Sequence, residues 1–481
     1  MLNPIKLASK NFLSSLDTTS EEFFHILEIA KIAAKLGKQE KVKVYIVGGV
    51  VRDIILGKKI QDIDLMVEGD GILFAKKLAN IIGVKKIVPY EKFGTALIPN
   101  KLFQIEVASS RSESYDSISR SPSVVKDASI KEDLKRRDFT INAMAMDISE
   151  EKFGDVIDPF RGINDLRKGI LRTPLDPEKT FSDDPLRMMR AAYFASKLNF
   201  KIESTCRASM ITQVERIKIV SWERIRDEYI KILKTDKPSI GLVILQKTGL
   251  MKYVFPEIDV MYDMEQSPEW HHKDVFAHTL QVVDNAAKLT DKMEIRFAAL
   301  VHDIAKPNTR RIHPKKGYTF HGHDAVGEKM LDKVGKRMRL SKNLTKYLKK
   351  LTLLHLRPIA LVKSEVTDSA VRRLMVSAGN ELKDLMVLCR ADITTKNPRL
   401  VKRYLKNFDI VEQKMQVVLD KDSAKKFQSP VRGIEIMEIF GLEEGKEVGL
   451  IKKSIEEAIL DGVIENTHQA AMGFLKDYKI K

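Results

Sequence analysis

The sequence VGGVVRD at residues 47–53, followed by DID at 62–64, decides the fold of the first third of the chain. The run at 42–47 is rich in β-forming residues and leads into a glycine pair. The next segment, VVRDIIL, has the pattern of a short apolar helix that ends at Gly57. A second strand follows around DID. This order predicts a strand, a turn, a helix and a strand, and therefore mixed α and β structure.

The two acidic residues of DID, Asp62 and Asp64, are candidate metal ligands. Side chains i and i+2 of a strand point to the same side, so both carboxylates face one site. Mg²⁺ prefers a few carboxylates plus substrate phosphates, and a two-metal site activates an attacking hydroxyl and stabilises a leaving pyrophosphate. Gly48 and Gly49 let the backbone approach phosphates at a helix N-terminus. A DxD pair alone is usually a surface turn, but the joint spacing favours a Mg²⁺-dependent site.

These motifs resemble the nucleotidyltransferase superfamily that includes DNA polymerase β, and more closely its class II branch of CCA-adding enzymes and bacterial poly(A) polymerases. Three further blocks follow in the family's order: EDLKRRDFTINA (132–143), GDVIDPFRGINDL (154–166) and DDPLRMMRAAYFA (183–195). The resemblance implies an α+β fold, with a polymerase β-like nucleotidyltransferase head of mixed sheet and helices before a mainly α-helical body. It also implies Mg²⁺-dependent transfer of CMP, CMP and AMP from CTP and ATP to the 3′ end of tRNA.

The resemblance further implies roles for individual residues. The implied nucleotide-binding residues are Gly48, Gly49, Arg52, Arg136, Arg137, Asp138, Asn142, Asp184, Arg187 and Arg190. Asp184 and Arg187 would imitate a base edge, one accepting and one donating hydrogen bonds to CTP or ATP. Arg190, one turn further on, would face the triphosphate. Two positions depart from the family pattern: Asp183 stands where the family usually has a glutamate, and Tyr193 where it often has an arginine. Which residues contact the phosphates in this part of the site is therefore left open. The alternative is an amphipathic helix with surface arginines.

A third carboxylate, Glu106 in LFQIEVAS, completes the candidate catalytic set of Asp62, Asp64 and Glu106. Its place on a strand suits a polymerase-type third acid, and the alternative is a strand glutamate in a salt bridge. Alternatives to CCA addition stay open. A poly(A) polymerase, or an enzyme that adds only CC or only A, would share nearly all of these motifs. The protein could also be an RNA-binding phosphohydrolase with a silent head.

Histidines are concentrated in one segment, since eight of the ten lie between His271 and His355. Core packing explains one or two of these but not eight. The pattern resembles the HD superfamily of metal-dependent phosphohydrolases in its two-metal form, which implies a divalent transition metal or Mg²⁺ as cofactor. The implied ligands are His278, His302, Asp303, His323, His355 and Asp392. The alternative is a relic site in which metal only stabilises the fold. For the remaining four, His271, His272, His313 and His321, a surface position is expected.

The pattern of strands and helices, together with the resemblance, implies five segments. They are an N-terminal helix (1–38), the nucleotidyltransferase head (39–170), a helical neck for nucleotide templating and RNA binding (171–262), the HD domain (263–395) and a helical tail (396–481). Gly37 is expected to end the first helix. Residues 109–131, rich in Ser and Asp, are expected to form an irregular loop, which favours full CCA synthesis.

The charge balance favours a polyanion partner, here tRNA. Lys and Arg outnumber Asp and Glu by 83 to 66, a formal charge of +17. Residues 329–350 hold nine basic residues and one acid, Asp332, which suits either phosphate contact or a solvated face. Two cysteines exclude a disulfide scaffold and a cysteine-based zinc site. With no long apolar run or signal peptide, we expect a cytoplasmic protein without membrane contact. The oligomeric state is left open.

Overall fold

The computed structural model describes most of the chain, in two compact units. The described residues are 21–60, 62–100, 103–115, 122–264, 274–315, 317–363, 367–422 and 429–478. The first unit ends at Pro256 and the second begins at Glu257. None of the described helices is long and apolar enough to cross a membrane.

The described part of the first unit contains a seven-stranded mixed sheet and two two-stranded pairs, β6 with β7 and β10 with β11. The strands are β1 (Val44–Val47), β2 (Asp62–Val67), β3 (Val88–Tyr90), β4 (Thr95–Ile98), β5 (Gln104–Ser109), β6 (Arg111–Tyr115), β7 (Pro122–Asp127), β8 (Ala145–Asp147), β9 (Val156–Ile157), β10 (Ile170–Leu171) and β11 (Lys201–Ile202). The sheet order is β3-β4-β5-β2-β1-β8-β9. Within this sheet as described, only β2 and β5 run parallel to each other.

The described part of this unit also contains eleven α-helices. The first five lie in the head segment or before it, and the other six lie in the neck segment. In chain order the eleven are α1 (Glu21–Glu40), α2 (Gly49–Leu56), α3 (Gly71–Ile81), α4 (Ile130–Lys135), α5 (Gly162–Lys168), α6 (Pro177–Asp183), α7 (Leu186–Leu198), α8 (Ser204–Thr212), α9 (Trp222–Leu233), α10 (Pro238–Lys247) and α11 (Leu250–Val254). On one face of the sheet, Tyr45 and Met66 pack against Ile130 and Leu134 of α4. This packing fixes the strand that carries the DID motif.

The sheet places the candidate acids by strand register. In β2, Ile63 and Leu65 are buried and alternate with Asp62 and Asp64, as expected for a strand with one buried face. The parallel register pairs Asp64 with Glu106 of β5. The third candidate acid is therefore the lateral neighbour of the second.

Two predictions about local structure are wrong. Helix α1 does not end at Gly37 but continues to Glu40. A Cβ at Gly37 would lie 2.8 Å from a methyl group of Val44, so this glycine permits close packing rather than ending the helix.

The predicted irregular loop at 109–131 is also wrong over most of its length. Strands β6 and β7 pair antiparallel there, with Arg111 opposite Asp127, and α4 follows. A two-stranded antiparallel ribbon does not require an apolar strand pattern, which explains why hydrophobic periodicity missed it. Residues 116–121 lie outside the described residues.

The second unit is mainly helical. Its helices are α12 (Pro256–Asp259), which begins at the last residue of the first unit, α13 (Val275–Leu289), α14 (Met293–Val301), α15 (Lys306–Thr309), α16 (His323–Arg337), α17 (Lys342–Leu354), α18 (Leu356–Lys363), α19 (Asp368–Ala378), α20 (Leu382–Ala391), α21 (Pro398–Asp422), α22 (Gly433–Phe440), α23 (Lys446–Leu460) and α24 (His468–Lys476). A small ribbon, β12 (Arg311–His313) and β13 (Gly317–Thr319), interrupts them. The last three helices share a core that includes Ile436, Ile455 and Leu475.

Candidate active sites in the head and the HD segment

Three carboxylates meet at the end of the parallel strand pair in the head. Burial and the neighbouring Glu106 raise the pKa of Asp64 to about 6, against the opposing effect of Arg137. Burial also raises the pKa of Glu106, again opposed by nearby arginines. Asp62 is exposed at the beginning of β2. Carboxylates this close resist full ionisation unless a cation is present, so the cluster fits a divalent metal.

The glycine turn before α2 lets a guanidinium approach these acids. Gly48 has a φ of 73°, a backbone conformation that favours glycine. A Cβ at Gly48 would lie 2.6 Å from Nη1 of Arg137 and 3.7 Å from Oδ2 of Asp64. Any other residue would therefore displace Arg137 from the carboxylates. This close approach explains the glycine independently of any phosphate contact.

Four of the candidate nucleotide-binding side chains form one polar chain beside the sheet. Arg52 donates from Nη1 to Oδ1 of Asn142 at 2.5 Å. Asn142 donates to Asp138 at 3.0 Å, and Asp138 accepts from Nε of Arg190 at 2.8 Å. Burial alone would raise the pKa of Asp138, but Arg190 and Asn142 outweigh it and lower that pKa. The structure thus brings these residues together as a mutually bonded scaffold.

The candidate base-reading pair is engaged with the backbone. Arg187 is only 9% exposed, and it donates to the carbonyl oxygen of Arg136 at 2.6 Å and to that of Thr180 at 3.3 Å. Asp184 accepts from the Leu186 amide at 3.2 Å, next to the beginning of α7. Arg187 therefore connects the block at 183–195 to that at 132–143. Its base-reading role stays a prediction.

A cavity of about 650 Å³ opens in front of the acids. Asp62, Asp64 and Arg52 line one part of it, and Tyr193 with Lys197 of α7 line another. Its remaining charged lining includes Lys58, Lys59, Lys231, Lys234, Asp53 and Asp236. Burial lowers the pKa of Lys197, partly opposed by Asp53. The cavity thus combines metal-binding carboxylates with ammonium groups that suit phosphates.

The sequence did not indicate the three cavity lysines of the neck, Lys197, Lys231 and Lys234. Tyr193 and Lys197 lie four residues apart on α7, so one helix face presents both, which is the signal that could have identified them. Lys231 and Lys234 lie on or just after α9, and only tertiary packing brings them to the cavity.

The six candidate HD ligands lie on five different helices or at their ends. His278 is on α13, and His302 with Asp303 follows α14. His323 begins α16, while His355 and Asp392 directly follow α17 and α20. Five of them are largely buried, at 1% to 13% side-chain exposure, and Asp392 is 18% exposed.

Asp303 joins the ligands into two groups that could each hold a metal ion. Its Oδ2 lies 3.1 Å from Nε2 of His302 and 3.5 Å from Nε2 of His278. Its Oδ1 lies 3.2 Å from Nε2 of His323 and 3.8 Å from Nε2 of His355. One carboxylate therefore faces both groups, the arrangement expected of a bridging ligand in a two-metal site.

The four histidines share one orientation. Nδ1 faces a backbone carbonyl oxygen in three of them: Ala299 for His302, Phe320 for His323 and Thr352 for His355, at 2.9, 2.7 and 2.6 Å. In the fourth, Nδ1 of His278 lies 3.1 Å from the Thr394 hydroxyl. A carbonyl can only accept, so Nδ1 carries a hydrogen in those three rings, and Nε2 is the ring nitrogen that each of the four turns toward the cluster.

This orientation brings ring nitrogens close to one another and to buried carboxylate oxygens. Nε2 of His323 and Nε2 of His355 lie 3.3 Å apart. Nε2 of His302 and Oδ1 of Asp392 are buried, 3.6 Å apart, and in no hydrogen bond of acceptable geometry. Burial lowers the pKa of His355 to about 4, whereas Asp303 outweighs burial and raises the pKa of His302 to about 10. The buried carboxylates thus favour a positive charge at this cluster, and a divalent metal bound in place of the His302 proton would supply it.

Two supporting residues were not predicted. Asn285 donates its side-chain amide to the carbonyl oxygens of Ala391 and Ile393, at 2.9 and 3.2 Å, and so holds the backbone on both sides of Asp392. Lys306 contacts Oδ2 of Asp303 at 2.6 Å. The spacing of three residues from Asp303 could have indicated Lys306. No sequence pattern indicates Asn285, because it binds backbone more than a hundred residues away.

Of the four other histidines, His313 and His321 are exposed, as expected. His271 and His272 lie outside the described residues.

The basic segment at 329–350 is less free than its composition indicates. Lys349 contacts Asp332 at 2.7 Å and Glu328 at 3.1 Å. Lys350 contacts Glu381 at 2.7 Å. Glu328 and Glu381, which lie outside the run, therefore neutralise part of its charge together with Asp332.

Three family models match consecutive parts of the chain. Residues 44–172 match the poly A polymerase head domain, and residues 199–262 match the probable RNA and SrmB-binding site of polymerase A. Residues 275–396 match the HD domain. The predicted order of head, RNA-binding segment and HD domain is the order of these matches.

Solved structures with similar folds cover nearly the whole chain. A Bacillus stearothermophilus CCA-adding enzyme in complex with CTP is 24% identical, covers 95% of this chain and 98% of its own, and has a TM-score of 0.67. A Thermotoga maritima CCA-adding enzyme complexed with tRNA is 23% identical, covers 99% of this chain and 98% of its own, and has a TM-score of 0.59. A tRNA nucleotidyltransferase with a primer tRNA and an incoming ATP analog is 26% identical over 79% of this chain and 99% of its own, with a TM-score of 0.56. The predicted fold class is confirmed.

Proposed function

Because the chain belongs to the class II family of CCA-adding enzymes and poly(A) polymerases, with an HD domain fused behind the head, we propose that it adds CCA to the 3′ end of tRNA. The observation that carries this proposal is the trio Asp62, Asp64 and Glu106 beside a cavity that also holds lysines. The similar enzymes were solved with CTP, with ATP and with tRNA, and these are the substrates we assign to this chain.

In the proposed reaction the tRNA 3′-hydroxyl attacks the α-phosphate of CTP or ATP. The bond from O3′ to the α-phosphorus forms, the bond from the α-phosphorus to the oxygen bridging the α- and β-phosphates breaks, and pyrophosphate leaves. Mg²⁺, held by Asp62 and Asp64, would supply charge stabilisation for both oxygens. Glu106, which pairs with Asp64 across the strands and has a raised pKa, would accept the hydroxyl proton. Lys197 and the other neck lysines would hold the triphosphate or pyrophosphate.

Base selection in this proposal uses the donors of Arg187 that the backbone leaves over. Two of the five N–H groups of its guanidinium bond to backbone carbonyl oxygens. Those two bonds would hold the side chain in place, and the remaining N–H groups would donate to the edge of cytosine or adenine. Arg52, Asp138, Asn142 and Arg190 would then act as the rigid scaffold behind the nucleotide.

The experiment that tests this function is incubation with tRNA lacking CCA, with CTP and ATP supplied separately and together, followed by sequencing of the ends. We expect CTP alone to yield CC and both nucleotides to yield CCA. Long A tails from ATP alone would identify a poly(A) polymerase, and addition that stops at CC or needs an existing CC would identify a partial enzyme.

The HD segment favours a second activity, hydrolysis of phosphoesters at RNA ends. The specific observation is the four-histidine cluster whose Nε2 atoms converge on Asp303 and Asp392. A bound divalent metal would lower the pKa of a water and polarise a phosphoryl oxygen. Hydrolysis of a 2′,3′-cyclic phosphate forms a bond from water oxygen to phosphorus, breaks one bond from phosphorus to ribose oxygen, and passes a proton to that oxygen. Cleavage at O3′ restores the hydroxyl that CCA addition needs.

The test of this second activity uses 2′,3′-cyclic nucleotides with Mn²⁺, Ni²⁺ or Mg²⁺. Wild type should hydrolyse them with at least one metal, and the double variant His302→Ala with Asp303→Ala should not. Equal rates for the two proteins, or none with any metal, would leave the cluster a structural site.

A further inference from the structure

A cavity of about 460 Å³ lies directly beside the HD ligand cluster. Its lining on one side is the segment after α20, from Asp392 to Thr395. On the other side it is α21, through Arg403, Tyr404, Asn407 and Phe408. These α21 residues lie beyond residue 396, where the match to the HD domain ends. The cavity is therefore partly built by the tail, for which the sequence indicated no role.

Two residues connect this cavity to the metal-ligand cluster. Asp392 belongs to both, since its Oδ1 lies 3.0 Å from Nε2 of His278 and it lines the cavity. Thr394 also lines the cavity, and its hydroxyl lies 3.1 Å from Nδ1 of His278. A phosphate held at the cluster next to Asp392 would place the group attached to it in this cavity.

The α21 wall is anchored to the HD helices. Arg390 of α20 contacts Asp409 at 2.8 Å and Glu412 at 2.7 Å, both on α21. Its guanidinium also lies 5.9 Å from the ring centre of Phe408, which is 4% exposed. Since an ion-paired arginine and a buried aromatic ring hold this helix, the cavity is formed before any ligand arrives.

The lining has the chemistry of a site for an unpaired nucleobase. Tyr404 is 37% exposed, and the Arg403 guanidinium lies 5.3 Å from its ring centre. Ile359 and Ile393 add apolar surface. The amide of Asn407 takes part in no hydrogen bond within the described parts of the chain, so its donor and acceptor are available. Stacking on an aromatic ring, an arginine and an amide are the groups that proteins use for single-stranded bases.

We propose that this cavity binds the base and ribose of the nucleotide whose phosphate lies at the HD cluster. The proposal rests on the phosphohydrolase function above and names its substrate class as a ribonucleotide or an RNA 3′ end. Tyr404 stacks on the base, and Asn407 hydrogen-bonds its edge. A phosphoester without a base would leave the cavity unfilled.

The first test compares uridine 2′,3′-cyclic phosphate with methyl riboside 2′,3′-cyclic phosphate, which has no base, using the full chain loaded with Mn²⁺. We expect wild type to have the lower KM for the uridine compound. Tyr404→Ala should raise that KM about ten- to hundredfold with little change in kcat, and leave the base-free substrate unaffected. Tyr404→Phe should restore the wild-type KM. Ile410→Ala, on an exposed position of the same helix, is the matched control.

The second test does not depend on hydrolysis. Calorimetric titration of the full chain with uridine 3′-monophosphate and Mn²⁺ should show binding that Tyr404→Ala weakens by a similar factor and Ile410→Ala does not. If nothing is hydrolysed but this pattern holds, the phosphohydrolase function fails and the nucleoside site stands. Equal binding or KM for wild type and Tyr404→Ala, in a protein that stays folded, overturns the nucleoside site.

Discussion

The head site and the HD site differ in what their polar side chains contact. In the head, the candidate nucleotide-binding residues bond to each other and to backbone carbonyls, while Asp62 and Asp64 line an open cavity. In the HD segment the candidate ligands face one another across a few ångströms, with each Nδ1 committed elsewhere. The head cavity thus suits a substrate that brings its own phosphates, and the HD cluster suits a cation. Each prediction below tests one side of this comparison.

The largest effect is expected from removing one head carboxylate. Asp62→Ala or Asp64→Ala should lower both C and A addition at least about a thousandfold, because the attacking hydroxyl and α-phosphate lose their alignment. Affinity for tRNA, measured by filter binding, should change little. Substantial residual incorporation by either variant would show that the acids are not the metal ligands.

A smaller effect is expected from exchanging the candidate base-reading pair. Asp184→Arg combined with Arg187→Asp should reduce the preference for CTP and ATP over UTP and GTP by about ten- to hundredfold, because hydrogen-bond partners no longer match. The measurement is kcat/KM for each nucleotide. A variant that loses rate but keeps full discrimination would assign Arg187 to its backbone contacts alone.

Asp64 should destabilise the metal-free protein near neutral pH. Its folded-state pKa of about 6 exceeds the usual aspartate value of 3.8, so the folded state loses stability as pH rises from about 4 through 6. Asp64→Asn should therefore raise the free energy of unfolding above pH 6, by up to about 2 kcal/mol once solvent screening is allowed for. The gain should vanish near pH 4.

The matched control is Asp62→Asn, since Asp62 is exposed. Chemical denaturation at pH 4, 6 and 8 without metal gives the comparison. If Asp64→Asn lowers stability at pH 8, the crowding of carboxylates in the head is not as we describe it.

The smallest effect concerns salt dependence of tRNA binding. Lys336, Lys342 and Lys346 line a cavity between α16 and α17 and form no ion pair among the described residues, unlike Lys349 and Lys350. Alanine at the first three should make the slope of log affinity against log salt shallower by about one or more. Alanine at Lys349 and Lys350 should change it less. Equal slopes for both variants and wild type would make the segment an ordinary solvated surface.

Local periodicity accounts for what the sequence predicted well. Strand alternation placed Asp62 and Asp64 on one side, and the family resemblance supplied the fold class. The resemblance to the HD superfamily also supplied the candidate ligands, but their division into two groups around Asp303 depends on the meeting of five helices. Lys197 and Lys231 reach the head cavity, and Asn285 reaches the backbone around Asp392, by tertiary packing that no single segment encodes. Local patterns also failed to predict two features of the backbone that depend on contacts between segments. These are the continuation of α1 past Gly37 and the ribbon at 111–127.

The most direct test of the central claim, that the chain holds two chemically separate sites, is a paired assay on two substrates. Asp62→Ala with Asp64→Ala and His302→Ala with Asp303→Ala are each given tRNA lacking CCA with CTP and ATP, and each given uridine 2′,3′-cyclic phosphate with Mn²⁺. We predict that the first variant loses only CCA addition and the second loses only hydrolysis. Loss of CCA addition by a folded His302→Ala, Asp303→Ala variant, or normal addition by the head variant, would contradict the account.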